Sequence, residues 1–225
     1  MLNFMMIGSN AKSSVDLSFY YKKIPNYRNI TALPAETLDY LSNVDKASAI
    51  NNMFGLNRGD ACNKLKTIPP FAFKTAKCTS VSRMFCGCYG LQDLDINWLD
   101  TVNCTDMSYM FSGCSALSSL NVSGLNTRKC TNMSNMFYSC ASLPTLDISG
   151  WDTSRCQNMD YTLSGCSKLT NIVGAFDMSN CTSCQNMFAW SDNLKGVHLK
   201  NVPRRLDMRN IGGEEGVTYI IDNYI

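Results

Sequence analysis

Histidine is nearly absent: His198 is the only one in 225 residues. Any cysteine–histidine nucleophile pair would have to use it. The chain contains no P-loop, no G-x-G-x-x-G and no G-x-S-x-G, so the familiar signatures of phosphate, dinucleotide and hydrolase chemistry are missing. No apolar run approaches the about 18 residues that a membrane-spanning helix needs, and membrane insertion is not expected. The opening MLNFMMIGSN has a short apolar stretch but no basic residue ahead of it, the first lysine being Lys12. It lacks the form of a signal peptide, so the chain is expected to be made in the cytoplasm and, if it ends up outside a cell, to reach it by another route. Basic charge is scarce where a nucleic-acid surface would need it. Residues 86–167 carry seven acids and three bases (Arg128, Lys129, Arg155), a local net charge of −4 in a chain of net +2. Phosphate would be repelled there, so nucleic acid is not an expected partner.

What the sequence does have is a repeat. Met-Phe recurs at Met53-Phe54, Met84-Phe85, Met110-Phe111, Met136-Phe137 and Met187-Phe188, with Thr162-Leu163 in the expected place before the last; the steps are 31, 26, 26, 26 and 25 residues. After each Phe come a Cys, a Leu and another apolar residue at steps of three, as in Cys114/Leu117/Leu120 and Cys140/Leu143/Leu146; Ser191/Leu194/Val197 has lost its Cys. The long first step holds an insertion around Arg58-Gly59-Asp60, read as a turn because so short an adhesion tripeptide is common by chance.

Each unit reads as a helical turn or two followed by a short strand. Met133, Met136, Phe137 and Cys140 fall at i, i+3, i+4 and i+7, one helical stripe. Thr131 stands where it could cap that helix. Gly87, Gly113 and Gly165 stand where a helix end favours a left-handed residue, with Ser139 as the exception. Leu146 to Ser149 then alternates in and out like a half-buried strand. One such unit cannot bury its stripe alone. The expected fold is therefore an α/β, leucine-rich-repeat-like solenoid of about six coils, each a short helix plus a short strand, over residues 46–202. Residues 1–45 read as an N-terminal cap or docking segment, and 203–225 as a C-terminal cap with a terminal strand in Gly216–Ile225.

The unit M-F-x-x-C-x-x-L-x-x-L-[DN]-[IV]-S-G-[WL]-[DN]-T, over roughly residues 50–202, resembles the repeats of BspA-like leucine-rich-repeat proteins. It is most similar to the variant found in mycoplasma-type surface lipoproteins and in gut-bacterial surface and phage-encoded proteins. The resemblance implies a leucine-rich-repeat solenoid and a group associated with adhesion and surface display, and it carries no catalytic residues. Those repeats commonly have Val where this chain has Cys104, Cys130 and Cys156, which implies that these thiols replace an apolar side chain.

Ten of the twelve cysteines form two columns: Cys78, Cys104, Cys130, Cys156 and Cys181, then Cys62, Cys88, Cys114, Cys140 and Cys166. Equivalent side chains stack in a repeat and free Cys buries readily, so these read as ladders of reduced core thiols. A disulfide framework fits less well, and Cys181-x-x-Cys184 has no second pair at zinc-finger spacing, so no cofactor or metal is expected.

The candidate site is the outward strand face. Its columns read Asp95, Asn121, Asp147, Val173, His198 and Asn97, Ser123, Ser149, Ala175, Lys200, with Trp98, Trp151, Phe176 and Trp190 near the edges. One side chain per coil on a rigid lattice, with aromatics beside small polar groups, suits a protein or carbohydrate surface. The functional expectation is a non-enzymatic binding or structural module, a phage tail, baseplate or receptor-binding component, with a bacterial adhesion-type surface protein as the alternative and a cysteine-dependent enzyme or metal protein as the third reading. Other virion proteins or a second copy of the chain are further expected partners.

Overall fold

A stripe at i, i+3, i+4 and i+7 can be built from stacked tight turns as well as from a helix, and this chain uses the turns. The computed structural model describes residues 65–68, 75, 77–212 and 217–225. The N-terminal cap, Met53-Phe54, the Arg58-Gly59-Asp60 insertion, Cys62 and Gly216 lie outside the described residues. Met133, Met136, Phe137 and Cys140 are fully buried as the stripe requires. Their backbone is not helical: among the described residues there is no helix, and the chain is a β-solenoid of about five turns. The α/β expectation of a short helix in each coil is thereby corrected.

The hydrogen bonds give the reason. Met136, Tyr138 and Cys140 donate to Met133, Asn135 and Phe137 three residues back, at 3.1, 3.1 and 3.0 Å. The alternate N–H groups of Met133, Asn135, Phe137 and Ser139 leave the coil and reach carbonyls of the next one at Asn158, Asp160, Thr162 and Ser164, at 2.8–2.9 Å. A helix would keep every one of them within the segment. The alternation needs a left-handed residue every fourth position, met by Asn135 (φ 58°) and Ser139 (φ 59°) here and by Tyr109 (φ 57°) and Gly113 (φ 78°) one coil earlier. The glycines before the column cysteines are left-handed, as their positions suggested, but they close turns rather than helices. Thr131 caps nothing; its hydroxyl donates to Thr105 O of the preceding coil at 3.1 Å.

On the opposite side lie short parallel strands: β1 (Asp93–Asp95), β2 (Ser119–Asn121), β3 (Thr145–Asp147), β4 (Asn171–Val173), β5 (Ala175–Asp177), β6 (Val197–Lys200) and β7 (Tyr219–Ile221). They pair as β1-β2, β3-β4 and β5-β6-β7. The break between β2 and β3 has a chemical cause. Ser118 N donates to Gln92 O and Thr170 N to Pro144 O, both at 2.9 Å. The residue between them in the column is Pro144, which has no N–H to give Ser118. The break between β4 and β5 is a bend at Gly174 (φ 104°), where this coil is one residue shorter than its predecessor. A Cβ on Gly174 would stand 2.8 Å from Ser149 N and 2.9 Å from Ser149 Cα. Gly174→Ala should therefore cost about 2–3 kcal/mol. Gly150→Ala, where a Cβ would meet nothing within 4 Å, should change stability by less than about 0.5 kcal/mol; urea midpoints of the two variants check the contrast.

Three ladders fill the interior. Phe85, Phe111 and Phe137 stack ring on ring at 5.4 and 5.3 Å. The thiols of Cys114, Cys140 and Cys166 each donate to a Phe carbonyl of the preceding coil, at 3.2 Å. The buried hydroxyls of Thr101, Thr127 and Thr153 each donate to a carbonyl of the following coil (Asn126, Asp152 and Asp177) and accept from the same residue's N–H. One buried polar atom among the described residues has no partner: Ser164 Oγ. Ala189 occupies its position in the next coil. Ser164→Ala should raise stability by about 1 kcal/mol, seen as a higher urea midpoint, because it removes an unsatisfied hydroxyl and leaves the backbone ladder intact.

Candidate functional site

The strand face is exposed where the sequence placed it, but its polar side chains are already engaged. Asp95, Asn121 and Asp147 accept from the N–H groups of Asn97, Ser123 and Ser149 at 3.0, 3.1 and 2.9 Å, closing the turn that ends each strand. The Ser149 bonds also hold the Asp147 carboxyl below its usual range. Ser123 Oγ adds a bond to Asn121 Oδ1 at 2.8 Å. These six residues thus form a capped row of turns first and a ligand surface second. The three tryptophans separate. Trp98 is half-buried, with its indole N–H donating to Asp95 O at 2.9 Å. Trp151 is buried, stacked on Phe137 at 6.2 Å and bonded to Val122 O, so it fills the core instead of the surface. Phe176 is buried too. Trp190 is 57% exposed but lies on the turn side, away from both strand columns. His198 is exposed on β6, yet it pairs with Ala175 and Ile220, two residues along from the expected column with Val173.

The turn side carries an aromatic surface that the column reading passed over. Tyr89 is 50% exposed and lies against the backbone at Gly113, 3.3 Å from where a Cβ would stand there. Arg83 stacks over the Tyr109 ring at 4.1 Å, and Tyr138 meets Tyr161 edge to face at 6.4 Å. Asn186 donates to Tyr161 Oη at 3.0 Å. Trp190 completes the set. It sits at φ 56° in the column that holds Gly87, Gly113, Ser139 and Gly165 in the other coils. The left-handed conformation is what the turn requires there, as at Tyr109 and Tyr161; what is singular is a large exposed side chain where the other coils carry Gly or Ser.

The cysteines offer little nucleophilic character. All described cysteines are free thiols, and all but Cys86 are buried. Burial pushes Cys78 up to about 11 and Cys130 and Cys166 up to about 12. Cys181 and Cys184 share a hydrogen bond that raises the first and lowers the second. Among the described residues, no group of three or more His, Cys, Asp or Glu side chains could hold a metal ion. No described helix is long and apolar enough to cross a membrane.

Fold and surface together define a class: a parallel β-solenoid of coils about 26 residues long, with one capped strand face and one aromatic turn face. Within that class, the chain belongs to the family described as Mycoplasma protein of unknown function, DUF285, whose model matches residues 79–202, more than half of the chain. No curated protein and no solved structure matches the chain.

Proposed function

We propose that the chain is a non-enzymatic binding module that attaches to a protein or glycan surface through its aromatic turn face, with the polar strand face as a secondary contact. The carrying observation is Trp190: a tryptophan more than half exposed, held in a left-handed conformation where three other coils use glycine. Gly meets that conformation at the least cost, so folding does not call for the indole. Tyr89 and Trp190 lie four coils apart, about 19 Å at the spacing of parallel strands. That span suits an extended polymer or a flat partner surface better than a single small molecule. The repeat unit's likeness to BspA-like leucine-rich repeats of phage-encoded proteins supports a place in a virion, as a tail, baseplate or receptor-binding part. The mycoplasma name of the family favours the second reading, a bacterial surface adhesin.

Binding of purified, labelled protein to whole bacterial cells tests the module. The comparison is with a Tyr89→Ser/Trp190→Gly double variant, which takes both residues from neighbouring coils and keeps the turns intact. Wild type should bind and the double variant should lose most of that binding while melting no lower. Equal binding by both would remove the aromatic face from the account, and absence of binding by wild type would remove the module.

A further inference from the structure

We infer that the groove formed by Arg128, Lys129 and Arg155 is a binding site for an anionic sugar unit, one bearing a carboxylate, sulfate or phosphate group. Residues 86–167 contain seven acids and only three bases. All three bases line a single open groove of about 520 Å³ that runs across three successive coils. Their charge is poorly compensated. Lys129 Nζ donates to the neutral Asn103 Oδ1 at 2.6 Å. Arg155 makes no hydrogen bond or close ion pair with a described residue, and it acts on Asp152 only through its charge at longer range. Asp152 is the one acid in the lining, and its Oδ1 is occupied by the N–H and hydroxyl of Ser154 at 3.1 and 2.6 Å. Its other oxygen is 3.9 Å from Arg128 Nε, a long pair between exposed side chains.

The repeat itself makes the cluster distinctive. The column of Arg128 holds Val102, Ser154 and Ser179 in other coils, and the column of Lys129 holds Lys77, Asn103, Arg155 and Asn180. Asn fills the Lys129 column in two coils, so packing does not require a cation there, and Arg128 is the singular residue that brings three cations to one place. The groove is larger than a lone oxyanion and within the roughly 300–1,000 Å³ of small-ligand sites. Asn126 and Ser154 supply hydrogen-bonding groups, and the exposed Val102 supplies an apolar patch for a sugar's C–H face. The surrounding acids disfavour a densely charged polymer such as nucleic acid, so a sparsely charged acidic polysaccharide is the occupant that fits. This deepens the binding-module proposal by giving the glycan a chemistry, at a place separate from the aromatic face.

Backbone amide NMR of the full chain, titrated with trigalacturonate, a sulfated disaccharide, inorganic phosphate and neutral maltotriose, tests it. Saturable shifts at residues 126–129 and 152–155 are expected with either acidic sugar, weakening at high salt. Arg128→Ser/Lys129→Asn/Arg155→Asn borrows side chains from neighbouring coils and should lower affinity about tenfold. Arg204→Ser/Arg205→Ser, which removes exposed charge outside the groove, should bind as wild type. Unchanged affinity in the triple variant overturns the inference. So does equal response to maltotriose, which would make the charge irrelevant, or equal affinity for phosphate, which would reduce the site to a bare oxyanion. If these fail while cells are still bound through Tyr89 and Trp190, the proposed function stands without the groove.

Discussion

Phe111→Ala should destabilise the solenoid by about 3–5 kcal/mol, whereas Phe111→Leu should cost less than about 1.5 kcal/mol. The Phe111 ring is fully buried, 5.4 Å from Phe85 at an interplanar angle of 3° and 5.3 Å from Phe137 at 11°. Alanine opens a void in the middle of that file and removes both stacking partners at once. A coil in a solenoid packs only on its neighbours, so no distant side chain can close the gap. Leucine leaves no comparable void, because Leu163 already fills the same column two coils later and is fully buried there. Urea unfolding followed by circular dichroism gives both values. Hydrogen exchange adds a spatial readout, with protection lost first at the coils flanking residue 111. A midpoint for Phe111→Ala within about 0.5 kcal/mol of wild type would mean that the file of rings does not hold the coils together.

The lattice of columns could be read from the sequence because a repeat of constant length puts like on like; Phe85, Phe111 and Phe137, and the cysteines beside them, stack as counted. The backbone between them was not legible in that way. Inward-facing turns and a helix share the i, i+3, i+4, i+7 stripe, and what separates them is a left-handed residue every fourth position. Gly113 signals one, but Tyr109 and Tyr161 hold the same conformation and are poor advertisements for it. Two misplacements were avoidable by arithmetic. Counting 26 back from Trp151 reaches Leu125, which is buried, whereas counting 26 forward from Trp98 reaches Gly124, which is exposed; the two indoles belong to different columns. His198 was not recoverable by counting: the 25-residue step, which already allows for the residue lost at Gly174, points to Val173, whereas the strands pair at a 23-residue offset with Ala175. The aromatic face was missed for a different reason. Tyr89 and Trp190 stand in columns otherwise held by Ser, Ala or Asp and by Gly or Ser. They are departures from the repeat, and a search for what recurs discards what is singular. In a solenoid the recurring residues build the scaffold, and the exceptions are where specific recognition has to be sought.

Raising the pH should unfold the protein steeply near pH 10, and the thiol ladders are the reason. Burial pushes the Cys78 thiol from its ordinary value of 9.0 up to about 11, and those of Cys130 and Cys166 up to about 12. Burial moves Cys104, Cys114, Cys140 and Cys156 in the same direction. The unfolded chain gives up these protons around 9.0 while the folded chain keeps them. The stabilisation is therefore complete below that value and is lost as the pH climbs towards the folded values. One pH unit above 9.0, each well-buried thiol costs on the order of 1 kcal/mol, so Cys130 and Cys166 together withdraw about 2 kcal/mol, and Cys78, nearer solvent, adds less. A domain of ordinary stability has only about 5–15 kcal/mol in total, and the other four thiols add to the loss. Replacing one ladder by an apolar column isolates the cause. Cys104→Val/Cys130→Val/Cys156→Val keeps the interior filled and removes three of the titrating groups, so its alkaline midpoint should move upward and its transition should release about three fewer protons. Circular dichroism against pH, at constant ionic strength and under reducing conditions, gives both quantities. A wild-type fold that survives past the pH at which free thiols and tyrosines have titrated, or a triple variant that unfolds at the wild-type midpoint, would show that the buried thiols do not set the alkaline limit.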